Sequence, residues 1–261
     1  MAHSSSRSRS RSHFRASPGL RHAGFALVLA AMCGAVQADT FRVGIFANGD
    51  RPFSFAQGSP QPGIYPDLMR AIARESGDKI ELVYVPAARL LRMFEIGELD
   101  IEVGSNPAWR KSSPIRSVYS ASYATAYEIL CFLPGEAKPG NAARDFPGYD
   151  IGVQAGYYYP NFEKAFADGS VKRRDTNNAE QLLKMLNAKR FQAIIISKYA
   201  ADFYKKVNPA QYACEQGAIT DQAMEMLRLP ATKADALPRL NAAIARLKKS
   251  GEIEAIYAKY R

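Results

Sequence analysis

Arg110 is the residue with the most definite chemistry to offer. It lies in the stretch Gly104 to Leu130, GSNPAWRKSSPIRSVYSASYATAYEIL, behind a small-polar loop and beside Trp109, the only Trp of the chain. A guanidinium presents two parallel N–H donors that match a planar carboxylate. Arg110 therefore reads as an anchor for an anionic ligand group at the mouth of a cleft, the plain alternative being one more surface Arg. Ser105 and Asn106 can donate to the same group, although both suit a turn that binds nothing. Trp109 reads mainly as a packing wedge.

A second set of candidates is scattered along the chain. Gly156-Tyr157-Tyr158 follows an apolar stretch and reads as a turn into a helix N-terminus, where exposed N–H groups favour an anion; the two Tyr suit a larger or aromatic ligand, or simply pack on the surface. Asp50 can accept an ammonium or merely complete the turn Asn48-Gly49-Asp50. Phe53 can stack on a ligand or pack beneath its own loop, and Tyr65 is a weaker candidate of the same kind. Ser197 and Lys198 end an apolar run, Phe191 to Ile196.

Other chemistries are excluded by composition once the first 38 residues are set aside. Met1 to His22 carries five Arg and no acid, Gly24 to Val36 is apolar, and Val36-Gln37-Ala38 fits a cleavage site. That layout is expected of a secretory signal peptide, the apolar run falling short of the roughly 20 residues that span a membrane. Ala30-Ala31-Met32 before Cys33 is a poor lipoprotein box, so a soluble exported protein is expected. Removing five of 35 basic residues leaves 30 against 25 acidic, net +5. This is a weak case for nucleic acid. His3, His13 and His22 leave with the leader, so no His triad, general base or metal ligand remains. Cys131 and Cys214 remain. In an exported chain an even count suggests a disulfide, the alternative being two buried thiols.

The elements that must position these residues follow from periodicity. Thr40 to Ile45, Ile80 to Val85 and Leu99 to Val103 read as strands, the last with Asp100 and Glu102 turned outward. A helix from Pro66 to Gly77 and one over Pro86 to Ile96 separate them. After a strand at Tyr127 to Leu133 the pattern restarts, with strands at Tyr149 to Gln154, Ser170 to Arg174 and Phe191 to Ile196 and helices at Asn178 to Asn187 and Tyr199 to Val207. A strand at Ala223 to Leu229 and helices at Ala234 to Ser250 and Gly251 to Tyr260 close the chain. Strand and helix alternate twice, so a largely parallel α/β fold with helical crossovers is expected.

Six segments in order resemble the extracellular solute-binding proteins of family 3, the receptors of amino-acid-type ABC importers. They are FRVGIFANGDRPFSF with GIYPDLMRAI, RLLRMFEIGELDI, NPAWR, VYSASY, IGVQAGYYY, and ALPRLNAAIARLKKSGEIEAIYAKY. The resemblance implies a two-lobe periplasmic binding protein of type II with two interlobe crossing segments: residues 39–123 in lobe 1, 124–221 in lobe 2, and 222–261 returning mainly to lobe 1. It implies a receptor for a small carboxylate-bearing ligand, an amino acid or similar, held in the cleft by Arg110. It further implies a monomer that docks on an inner-membrane permease, with no cofactor, no metal and no reaction. Ser197 departs from the pattern, since many relatives place an Asp there to pair the ligand ammonium; a standard α-amino acid then needs Asp50 or another acid instead. A detached sensory module is the main alternative. A dehydratase-like enzyme on the same fold is a third, disfavoured by the missing His and the lack of a paired-acid motif.

Overall fold

Phe41, Val43 and Ile45 alternate along β1 (Thr40–Phe46) and are all buried, so this strand forms the middle of a parallel trio. It pairs with β2 (Lys79–Val85) on one side and with β3 (Ile101–Ser105) on the other. The connections are two helices, α1 (Ile64–Ser76) and α2 (Ala87–Glu95). Leu68, Met69, Ile72 and Ala73 bury one face of α1, and Gly77 ends it at φ 79°, a left-handed conformation that glycine adopts without a Cβ clash. The computed structural model describes residues 1–3, 38–47 and 50–260. Residues 4–37, and with them nearly all of the expected signal peptide, lie outside the described residues, as do Asn48 and Gly49 of the first turn.

The second half repeats the arrangement. β6 (Asp150–Gln154) lies between β7 (Lys172–Thr176) and β8 (Ala193–Ser197), all parallel. α3 (Glu163–Asp168), α4 (Ala179–Asn187) and α5 (Lys198–Val207) complete it. Two antiparallel strands join the halves: β5 (Ala124–Phe132) and the 16-residue β9 (Glu215–Pro230). The sheet order is β2-β1-β3-β9-β5-β8-β6-β7, and a short β4 (Ser117–Tyr119) pairs β9 off this path. A 3-10 turn (Ala231–Ala236) leads into α6 (Leu237–Ser250) and α7 (Glu252–Lys259). Leu240, Ile244, Leu247 and Tyr257 of these helices share one core with Phe41 and Leu68 of the first half. The chain is thus a mixed α/β fold of two half-sheets with two crossing strands.

Several expectations need correction. Glu102 does not turn outward; it is 4% exposed, because β3 is covered by α2 on that face and the carboxylate meets Arg228 there. The final strand reaches back to Glu215, eight residues before the expected Ala223 start, since Gly217 to Gln222 show no apolar period but pair with β5. No helix begins at Gly156-Tyr157; α3 begins at Glu163. Ser117–Tyr119, where periodicity marks no element, forms β4, and the strand expected at Ser170 to Arg174 is shifted to Lys172–Thr176.

Cys131 and Cys214 form a disulfide, with Cα atoms 5.4 Å apart and 83 residues of separation. It fastens β5 to the start of β9, one step from the Phe132–Glu215 pair. Closing so long a loop restricts the unfolded chain, a contribution of roughly 2–5 kcal/mol in measured cases. Reductant is therefore expected to lower the melting temperature of the protein, with the Cys131→Ser, Cys214→Ser double variant melting at the reduced value whether or not reductant is added. An unchanged transition on reduction counts against a stabilising role.

Candidate functional site

Ligands of open α/β sheets lie beyond the carboxyl ends of the strands. Here those ends bring together the loop after β1, Ser105 of β3, Gln154 of β6 and Ser197 of β8. Asp50 is central. It is 6% exposed, its backbone N–H donates to Ser54 Oγ at 3.1 Å, and its carboxylate accepts from two groups of the second half: Gln154 Nε2 at 3.1 Å and the Tyr157 hydroxyl at 2.9 Å. This joins the two halves through one buried acid. Burial pushes the Asp50 pKa up, while the two hydrogen bonds pull it down.

A second buried acid, Glu225 of β9, lies 2% exposed. It accepts from the Tyr65 hydroxyl and the Tyr257 hydroxyl, each at 2.7 Å, and burial again raises its pKa. Gly104 makes this possible. A Cβ there would sit 2.2 Å from the Tyr65 hydroxyl, and its φ of 69° is left-handed. Its N–H donates to the Tyr123 hydroxyl at 2.7 Å. Phe53 stacks against Tyr65 with ring centroids 5.1 Å apart and meets Tyr199 at 6.1 Å, so it is a packing bridge between the two halves, buried within the core.

Glu225 is not among the sequence candidates, and neither are two further acids, Glu128 and Asp221. Glu128 of β5 stands directly opposite Ser197 of β8 and Asp221 of β9 in register. Its carboxylate has no hydrogen-bond or ion-pair partner among the described residues. Burial first, then the charges of Asp50, Asp221 and Glu225, push it up to about 8. The acid missing at Ser197 is thus present one strand over. Its only sequence signal is alternation: Ala124, Ala126 and Glu128 share a strand face, with two alanines leaving space in front of the acid.

Two hydroxyls complete the arrangement. Ser105 Oγ and Ser197 Oγ are shut away from solvent, and each lacks a hydrogen-bond partner among the described residues. A buried unsatisfied hydroxyl costs roughly 1–3 kcal/mol, so both stand out as polar atoms left over by the packing. Both are candidates from the sequence, one in each half. Among the described residues no group of three or more His, Cys, Asp or Glu is placed to hold a metal ion.

Arg110 is committed elsewhere. Its Nε donates to Glu102 Oε1 at 2.8 Å, its Nη2 donates to the same oxygen, and its Nη1 donates to the Trp109 carbonyl at 3.1 Å. Glu102 Oε2 in turn accepts from Arg228 Nη1 at 2.8 Å, and Arg228, 1% exposed, lies 4.3 Å over the Phe94 ring. Asn106 caps the 3-10 turn (Pro107–Arg110) by accepting from the Ala108 N–H, and it donates to the Met224 carbonyl at 2.8 Å. Its polar atoms are engaged in holding β3 to β9. Of the Gly156-Tyr157-Tyr158 turn, only Tyr157 reaches Asp50; Gly156 takes a left-handed turn and Tyr158 is 43% exposed.

Known proteins of this architecture place the site in context. The arginine-binding extracellular protein ArtP of Bacillus subtilis (strain 168) is 22% identical over 213 residues, covering 80% of this chain and 82% of that protein. Among solved structures, an ancestral arginine-binding protein bound to arginine superposes with a TM-score of 0.70 at 24% identity, over 85% of this chain and 97% of the other. A histidine kinase sensor domain with similarity to periplasmic binding proteins reaches 0.68 at 18% identity, over 85% and 95%. At such identities the structural likeness establishes the fold, that of two-lobe amino-acid-binding solute-binding proteins. The chain belongs to the bacterial extracellular solute-binding proteins, family 3, whose model matches it over residues 42–261.

Proposed function

We propose that the protein is a periplasmic solute receptor, exported by its N-terminal leader, that captures a small amino-acid-like ligand between its lobes. It then delivers the ligand to the permease of an ABC importer. The lobes are residues 39–123 with 222–261, and residues 124–221, hinged on the two crossing strands. One observation carries the reading: Asp50, a buried acid of one half, is held by Gln154 and Tyr157 of the other, at the strand ends where ligands bind. An acid in that position suits a ligand ammonium or guanidinium, in keeping with the arginine named for the relatives. The receptor role involves no reaction. A sensory module is the second reading, favoured by the likeness to a histidine kinase sensor domain. Ligand-dependent uptake in membranes carrying the permease separates the two, since a sensory module supports none.

Asp50→Asn keeps the shape and removes the charge. A charge-assisted hydrogen bond contributes about 1.5–3 kcal/mol, so the variant is expected to bind a cationic amino acid at least about tenfold more weakly by calorimetry, with its unliganded melting temperature nearly unchanged. Wild-type affinity in the variant would remove Asp50 from the site.

The acids of the cleft also make the unliganded protein sensitive to pH. Glu128 is raised to about 8 from an ordinary 4.5. Between those values the folded protein holds a proton that the unfolded chain has released. The stabilising contribution is therefore complete below about pH 4.5 and lost as pH rises through about 8. Melting temperature is expected to fall over that window, and Glu128→Gln to flatten the fall. Equal slopes in variant and wild type would contradict this assignment.

A further inference from the structure

We infer that the cleft accommodates an elongated organic cation without a free carboxylate, a polyamine or guanidino-amine seated on Glu128, and that Glu102 excludes the carboxylate-bearing alternative. The inference rests on the receptor reading and narrows its ligand.

The floor of the cleft is one face of the β5–β9 ribbon. Along it Glu128 faces Asp221, Ala126 faces Ala223, and Ala124 faces Glu225. Acids therefore stand at both ends with alanine between, Glu128 unpartnered among the described residues and Glu225 accepting from the Tyr65 and Tyr257 hydroxyls. Four residues of strand separate the ends, about 13 Å at roughly 3.3 Å per residue. Such a trough matches a chain with cationic nitrogens and an aliphatic middle. The acids are spread along a line and form no cluster able to hold a metal ion, so an extended organic cation fits them better than an ion.

Independent of the acids, an unpartnered hydroxyl marks the Glu128 end. Ser197, opposite Glu128, has its Oγ closed off from solvent and unbonded among the described residues. This oxygen can accept from ammonium or guanidinium N–H groups, which carry several donors each. Tyr65 and Tyr257 at one end and Tyr157 near the other add ring faces and hydroxyls, and aromatic faces attract alkylammonium groups.

The cation that would receive a ligand carboxylate is already occupied. Glu102 lies between Arg110 and Arg228 and bonds to both, so the protein carries its own carboxylate where an amino acid would bring one. A ligand carboxylate would have to take Arg110 from Glu102, whose Oε1 accepts from both Nε and Nη2 of that guanidinium, and would bring a second negative charge against a buried acid that Arg228 still holds.

The test is calorimetric titration of the purified full protein, stripped of ligand by unfolding and refolding, with spermidine, agmatine and arginine. Agmatine is arginine without its carboxylate, so the comparison isolates that group. Spermidine or agmatine is expected to bind at least about tenfold more tightly than arginine. Glu128→Gln is expected to weaken that amine by about tenfold or more, while Arg110→Ala leaves its affinity within about twofold, Arg228 still holding Glu102. Tighter binding of arginine, with a loss of tenfold or more in Arg110→Ala, would overturn the inference and leave the receptor reading standing. Amine binding indifferent to Glu128→Gln would overturn the proposed seat. If the wild type binds none of the three compounds, this inference and the cationic-ligand reading both fail.

Discussion

The antiparallel pairing of β5 with β9 is the constraint on which the rest depends. Each half of the molecule is a parallel trio of strands, β2-β1-β3 and β7-β6-β8, and each trio would end in an open edge at β3 or β8. An open edge leaves unpaired N–H and C=O groups. β9 covers the edge of β3, β5 covers the edge of β8, and the two cover each other. One ribbon thus closes both half-sheets, carries the chain across twice, and forms the floor of whatever lies between. The disulfide at Cys131 and Cys214 fastens the far end of that ribbon, on the side of the second half.

A second constraint is the burial of charge in the first half. Arg228, at 1% exposure on a strand between β3 and β5, is a buried cation that is costly to leave without a partner, and Glu102 is that partner. Ser113 and Ser117 take other guanidinium donors and Phe94 covers the guanidinium face, so the cation is satisfied on several sides. Glu102 carries one charge against two arginines. Arg110, 20% exposed, is the partner nearer solvent. Removing either arginine leaves Glu102 paired; removing Glu102 strands a buried cation. The asymmetry makes Glu102 the structural residue and Arg110 the adaptable one.

What can be read in the amino-acid sequence depends on whether an element is determined locally. β1, α1 and β8 show their period in a few residues: Phe41-Val43-Ile45, Leu68-Met69-Ile72, and the apolar run ending at Ile196. These emerge close to where periodicity places them. The first half of β9 does not, because Gly217, Thr220, Asp221 and Gln222 have the composition of a loop and become strand only through pairing with β5. Tertiary pairing overrides local propensity there. The candidate site divides the same way. Asp50, Tyr157, Ser105 and Ser197 can be singled out from type and position. Glu128 cannot, because its meaning comes from Asp221 and Ser197, both distant in sequence. The fate of Arg110 likewise depends on Glu102, which alternation alone places on the wrong side, and on Arg228, 118 residues further along the chain.

The acids of the cleft also bear on how closure and binding are linked. Asp50 joins the halves through Gln154 and Tyr157, a contact made by the protein's own groups. Burial first, and then the charges of Asp50, Asp221 and Glu225, keep the Glu128 carboxyl protonated to about pH 8. Contact between the halves is therefore favoured by one interaction and opposed by another. On the receptor reading, a cation among these acids relieves the opposition without requiring the Tyr157 contact to break. A ligand shifts a conformational equilibrium only by its differential affinity for the two states. Of the three acids that act on Glu128, Asp221 and Glu225 share the β5–β9 ribbon with it, so only the charge of Asp50 depends on the halves being together. On that reading a neutral ligand of the same shape fills the space and leaves the charge of Asp50 uncompensated.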